Sequence, residues 1–251
     1  QMCIRDRSWT GPCIEPVSGC REGVNMTNTL HRYGTEDSQR NDFIVFAMAG
    51  KGFNEEGSLE KAKAFLRAAI KYEPINMGNA LVNSLYRPEK DLSFIKLYFT
   101  GRKEKTSYEK LIDEIPAAGS AAVVFDDPAR VRNFIADVKA LDLGLSVNVS
   151  ALVDNVREIC GEVDITPHAV EYTLGFHGDT DRLPDRDTMS ISTMCGHGMV
   201  SAHFAKKMID RVKEGRMEPK DAACCMAKFC VCGVFNISRA MKILRTAARG
   251  D

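Results

Sequence analysis

Two short segments near the C-terminus repeat each other at a constant offset of 35 residues. Met194-Cys195-Gly196-His197-Gly198-Met199-Val200-Ser201 can be laid over Phe229-Cys230-Val231-Cys232-Gly233-Val234-Phe235-Asn236. The likeness continues downstream, where Ala205 falls on Ala240, Lys207 on Lys242 and Met208-Ile209 on Ile243-Leu244. Each half reads as Cys, any residue, Cys or His, Gly, two apolar residues, a helix-capping Ser or Asn, and an amphipathic helix. Two soft donors one residue apart can point the same way from a tight turn, and the glycine after them can take a left-handed backbone beside an ion. A helix N-terminus just beyond favours a thiolate over a thiol. Together the halves supply Cys195, His197, Cys230 and Cys232, a full ligand set for tetrahedral zinc or an iron-sulfur cluster. Iron-sulfur stands slightly ahead in this reading, because one-residue spacing recurs in cluster ligation.

Locally, Cys230-Val231-Cys232 followed by an amphipathic helix resembles the start of a bacterioferritin-associated ferredoxin domain, which holds a [2Fe-2S] cluster. In that family the C-x-C pair comes first and a C-x-x-C pair later, and this chain has neither the order nor the second spacing. Two other readings of the cysteines stand beside metal binding. Cys160, Cys224 and Cys225 sit inside helical patterns as Ala-like residues and are expected to pack. Cys195 could act as a nucleophile with His197 or His177 as its base, in a metal-free thiol enzyme.

The rest of the chain sets the context. It has 251 residues with 34 basic and 34 acidic side chains, so it carries no sequence-wide attraction for nucleic acid or anionic lipid. Nine cysteines without a secretory leader suggest a reducing, cytoplasmic setting. Residues 1–25 have no uninterrupted apolar core and lack periodicity, and they are expected to be a non-native, dispensable leader. They contain Trp9, Cys3, Cys13 and Cys20.

Residues 26–188 predict an α/β domain. Apolar runs of strand length at 43–49, 92–99, 121–125, 145–149 and 169–175 alternate with helical patterns from about 58, over 128–141 and over 152–162. Asp127 is placed to cap the second of these helices, with Pro128 at its first position. This alternation implies βαβ units and a mixed or partly parallel sheet, in either ferredoxin-like repeats or an open doubly wound order. Residues 189–251 then predict a module of three helices, near 201–214, 219–229 and 236–247, carrying the Cys/His site.

If the strands are parallel, their carboxyl edge gathers Lys51, Asp126, Ser150 and His177, and a small polar or anionic substrate would bind there. Gly50 and Gly52 flank Lys51 and could wrap an anion with their N–H groups, although a plain turn is the simpler reading. Asp126 has an alternative role in sharing the helix cap with Asp127. His177 lies in a polar, glycine-rich loop that leads toward Cys195. The sequence thus suggests an enzyme with a Cys3His site beside a sheet-edge pocket. The alternative is a zinc-stabilised binding or regulatory module in which the metal only staples helices.

Overall fold

The computed structural model describes residues 2–4, 32–50, 52–86, 106–117, 119–171 and 175–250. The strand expected at 92–99 lies outside them. Seven strands form one sheet: β1 (Met2–Ile4), β2 (Phe43–Met48), β3 (Asn76–Asn79), β4 (Asn83–Ser84), β5 (Ala121–Phe125), β6 (Ser146–Ser150) and β7 (Pro167–Val170). Their order is β4-β3-β5-β2-β6-β1-β7. The helices are α1 (Glu36–Gln39), α2 (Ser58–Ile70), α3 (Tyr108–Asp113), α4 (Pro128–Leu141), α5 (Val153–Glu162), α6 (Arg186–Ser192), α7 (Ala202–Lys213), α8 (Pro219–Ala227) and α9 (Ile237–Arg249).

Every pairing in the sheet is antiparallel, which corrects the expectation of parallel neighbours. The βαβ units nevertheless exist. β2 and β3, joined through α2, run the same way with β5 between them, and β5 and β6, joined through α4, run the same way with β2 between them. Each crossover skips one place, so parallel strands become next-neighbours. This is the interlocked split-βαβ order of ferredoxin-like sheets. The unit β6-α5-β7 is split in turn by β1, so Met2–Ile4 of the expected leader is bonded into the sheet.

Because β2 and β5 are covered on both faces, they read as unbroken apolar runs. Phe43, Val45 and Ala47 alternate with Ile44 and Phe46, and Ala121, Val123 and Phe125 with Ala122 and Val124. The first set packs under α2 and α4, where Phe134 meets Phe65 and Phe125 at ring-centroid distances of 5.1 and 5.3 Å. The second set packs against α6–α9. Asp127 caps α4 through the N–H groups of Ala129 and Arg130, as its place before Pro128 predicts. Four helices, not three, build the C-terminal layer. The extra one, α6, is seven residues long and capped by Asp185, too short for its periodicity to stand out.

Two ties fasten this layer to the sheet. Asn76 in β3 donates its side-chain amide to the Phe235 carbonyl at 3.1 Å. Asp42, directly before β2, accepts from Asn236 Nδ2 and from Arg239 at 2.8 Å each. Both anchor points fall at or just before the start of α9, and that fixes where the second half-site turn must lie.

Candidate functional site

The two repeated turns fold alike. Gly198 and Gly233, equivalent across the repeat, both take positive φ, 69° and 76°. Three residues later Ser201 and Asn236 cap α7 and α9, accepting from the N–H groups of Phe204 and Arg239. Gly233 has a further constraint. A Cβ there would stand 2.5 Å from the Met77 carbonyl carbon and 2.6 Å from Gly78 N, so the turn presses directly on the β3 backbone. At Gly198 a Cβ would meet open space.

The turns face each other, and each donor meets its own repeat equivalent. Cys195 lies beside Cys230, whose thiol perturbs its ionisation, and Cys232 Sγ lies 3.4 Å from His197 Nδ1. Cys230 and Cys232 Sγ atoms are 3.9 Å apart. The four side chains therefore run as a contact chain, Cys195–Cys230–Cys232–His197. The three cysteines are buried and His197 is exposed. Among the described residues, no group of three or more His, Cys, Asp or Glu side chains has the geometry to hold a metal ion.

Backbone N–H groups of the turns point at the sulfurs. The N–H groups of His197 and Met199 favour the Cys195 thiolate, and that of Val234, the repeat equivalent of Met199, favours the thiolates of Cys230 and Cys232. These donors were not identified from the sequence, since any residue can supply a backbone N–H. The thiols ionise unequally. The hydrogen bond with Cys230 and burial push the Cys195 thiol far up. At Cys230 the Cys195 contact lowers the value, but the Cys232 contact and burial outweigh it and push the thiol up to about 12. Cys232 lies below the ordinary thiol range, because the bond from Cys230 stabilises its thiolate against the cost of burial. The thiol favoured for ionisation is thus Cys232 rather than Cys195.

Cys160, on α5, is buried in the core on the α2–α4 face, and Cys224 and Cys225, on α8, are half-buried against the C-terminal core. His203 is exposed on α7, and His168 on β7.

The sheet-edge group does not assemble as expected. Phe43 pairs with Phe125 and Ile44 with Ser150, so Asp126 and Ser150 lie at the end of the sheet where β2 begins. The Gly50–Gly52 turn leaves the opposite end, after Met48. Lys51 is outside the described residues, but its two neighbours belong to that opposite end. Antiparallel pairing of β2 with β5 is the reason: it puts their carboxyl ends at opposite edges. The amides of Gly50 and Gly52 already donate to Asn54 Oδ1 at 2.6 Å and Glu55 Oε2 at 2.9 Å. That is the hydrogen bonding of a connecting turn. His177 is exposed, in a loop whose Phe176 ring stacks at 5.7 Å on Tyr33.

Among the described residues, no helix is long and apolar enough to cross a membrane. No protein-family model, no curated protein and no solved structure matches the chain.

Proposed function

We propose that the C-terminal helical layer is a metal-stapled module, with Cys195, His197, Cys230 and Cys232 as the ligands of one mononuclear zinc ion. The observation that carries this is the meeting of repeat-equivalent donors in one cluster, three buried cysteines and an exposed histidine. Zn–S bonds of about 2.3 Å and Zn–N bonds of about 2.0–2.1 Å make tetrahedral edges of about 3.8 Å between sulfurs and about 3.5 Å from sulfur to nitrogen. The separations here, 3.9 Å for Cys230–Cys232 and 3.4 Å for Cys232–His197, have those lengths. The contact chain is what such a ligand set looks like while its thiols keep their protons: S–H bonds occupy the lone pairs, and losing the protons frees the sulfurs to close round an ion. N–H groups aimed at the sulfurs favour the same ionised state.

Cys232 has two donors at such a distance, Cys230 and His197, whereas in a two-iron cluster it would share its iron with only one of them, and this favours a single ion. Four protein ligands leave no open coordination position, so the centre is structural and the enzymatic reading loses its support. A module of this kind acts by presenting a surface, with the metal holding α7 and α9 in register beside the sheet.

The test is elemental analysis and an optical spectrum of anaerobically purified full chain. One equivalent of zinc in a colourless sample supports the proposal. A brown sample with visible absorption replaces zinc by a cluster, and a sample that neither contains nor takes up metal overturns the site. A second reading, thiol chemistry at Cys232, draws on its lowered pKa and the His197 contact. It requires stoichiometric alkylation of Cys232 by iodoacetamide near neutral pH in the metal-free protein, ahead of every other cysteine.

A further inference from the structure

At the end of the sheet where β2 begins, two guanidinium groups share one carboxylate. Arg32 Nη2 and Arg239 Nη1 lie 2.9 and 2.8 Å from the same oxygen, Asp42 Oδ2. The three side chains are 6%, 2% and 3% exposed respectively, so the cluster is buried with one positive charge in excess. Arginine cannot shed its proton to relieve this.

The two arginines are not equivalent. Arg239 uses every edge of its guanidinium, donating to Ser38 Oγ from Nε, to Asp42 from Nη1 and to the Tyr33 carbonyl from Nη2. Burial lowers its pKa, and the Arg32 charge lowers it further. Arg32 is poorly satisfied. Its Nε and Nη2 are buried and make no hydrogen bond, since Asp42 approaches Nη2 closely but outside bonding geometry. Nε and one terminal nitrogen form the edge that grips carboxylate or phosphate with two parallel bonds. Burying charged donors that make no hydrogen bond is costly, and an oxyanion on that edge would offset the cost.

We propose that Arg32 is the floor of a small oxyanion site, taking a carboxylate or phosphate group on its Nε/Nη2 edge, with Asp42 and Arg239 holding the guanidinium in place. The anion restores neutrality and satisfies both orphaned donors. Arg32, Tyr33 and Gly34 are half-buried as residues, while the Arg32 Nε and Nη2 atoms are themselves buried, so an anion reaches the fork by displacing the groups that cover it. The site uses none of the cysteine-cluster side chains, although Asn236 at the end of the second half-site also donates to Asp42.

The experiment is a titration of the full chain with sodium phosphate and, separately, sodium acetate, at ionic strength fixed with sodium chloride. Two signals are read: the Tm and the Arg32 Nε–H resonance, assigned by its loss in Arg32→Lys. One of the two anions should shift that resonance saturably, and at tenfold excess over its dissociation constant raise Tm by about 3–6 °C. Response to phosphate but not acetate identifies a phosphate site, and the reverse a carboxylate site. Arg32→Met should lose the Tm response while melting no lower than the parent in chloride alone, because it removes the excess charge and leaves the Asp42–Arg239 pair intact. An equal Tm response in parent and Arg32→Met overturns the proposal. Should Arg32→Met fail to fold, the resonance decides: no saturable shift with either anion in the parent also overturns it.

Discussion

His197 Nδ1 lies 3.4 Å from Cys232 Sγ, and these two residues hold the same position in the two halves of the repeat. Cys195 and Cys230, the other equivalent pair, are neighbours as well. The pairing separates metal ligands from bystander cysteines. Replacing Cys230 or Cys232 by Ala should remove nearly all bound zinc and destabilise α7 and α9, because binding free energy is coupled to their folding. Cys224→Ala should keep one equivalent, as this side chain packs beside the helical core. Zinc retention by Cys232→Ala, or its loss in Cys224→Ala, would reassign the ligands.

The metal-free protein should lose stability in alkali for a specific reason. Cys195 and Cys230 are raised above the ordinary thiol value of 9.0, so their contribution is fully present below pH 9 and falls as pH rises toward their folded values. Each contributes at most about 1.4 kcal/mol per pH unit over that range. Cys232 has the opposite sign: its lowered value gives stability present above pH 9 and lost as pH falls through the folded value. Urea midpoints of metal-free parent and Cys195→Ala between pH 8 and 10.5 test the balance. The variant should show the shallower decline, and equal slopes would remove the S–H chain.

The two repeat glycines should respond differently to alanine. Gly198→Ala meets only the cost of a left-handed backbone, about 1–2 kcal/mol. Gly233→Ala adds a collision with the Met77–Gly78 backbone of β3 and should lose about 3 kcal/mol or more, lowering Tm by about 6–12 °C. Comparable Tm values for the two variants would contradict the close approach.

Asp42→Asn leaves two buried guanidiniums without their shared carboxylate. A loss of about 3–5 kcal/mol is expected in denaturant unfolding. A change under 1 kcal/mol would mean that Asp42 does not anchor α9.

Among the described residues, β7 has a single strand neighbour, β1. A chain starting at Met26 should therefore keep its zinc content while the backbone N–H groups of His168–Val170, on the strand that pairs with β1, lose protection in hydrogen exchange. Unchanged protection there would show that Met2–Ile4 is dispensable to the sheet.

Local chemistry determined a good deal of this protein from sequence alone. The run Phe43–Met48 reads as a buried strand, Asp127-Pro128 as a helix start, and Ser201 and Asn236 as caps, because each signal rests on residues within a few positions of one another. The repeat likewise singled out Cys195, His197, Cys230 and Cys232, of which Cys232 touches both Cys230 and His197. Tertiary structure alone decided how the pieces are ordered. A crossover helix requires its two strands to run the same way but says nothing about what lies between them, and placing β5 and β2 in those gaps sent the Gly50 turn and Asp126 to opposite ends. Short strands such as Asn76–Asn79 carry almost no pattern of their own and form because neighbours bury them. The Arg32–Asp42–Arg239 cluster is the extreme case, since its charges are spread along the chain and only packing α9 against the start of β2 makes one carboxylate serve two guanidiniums.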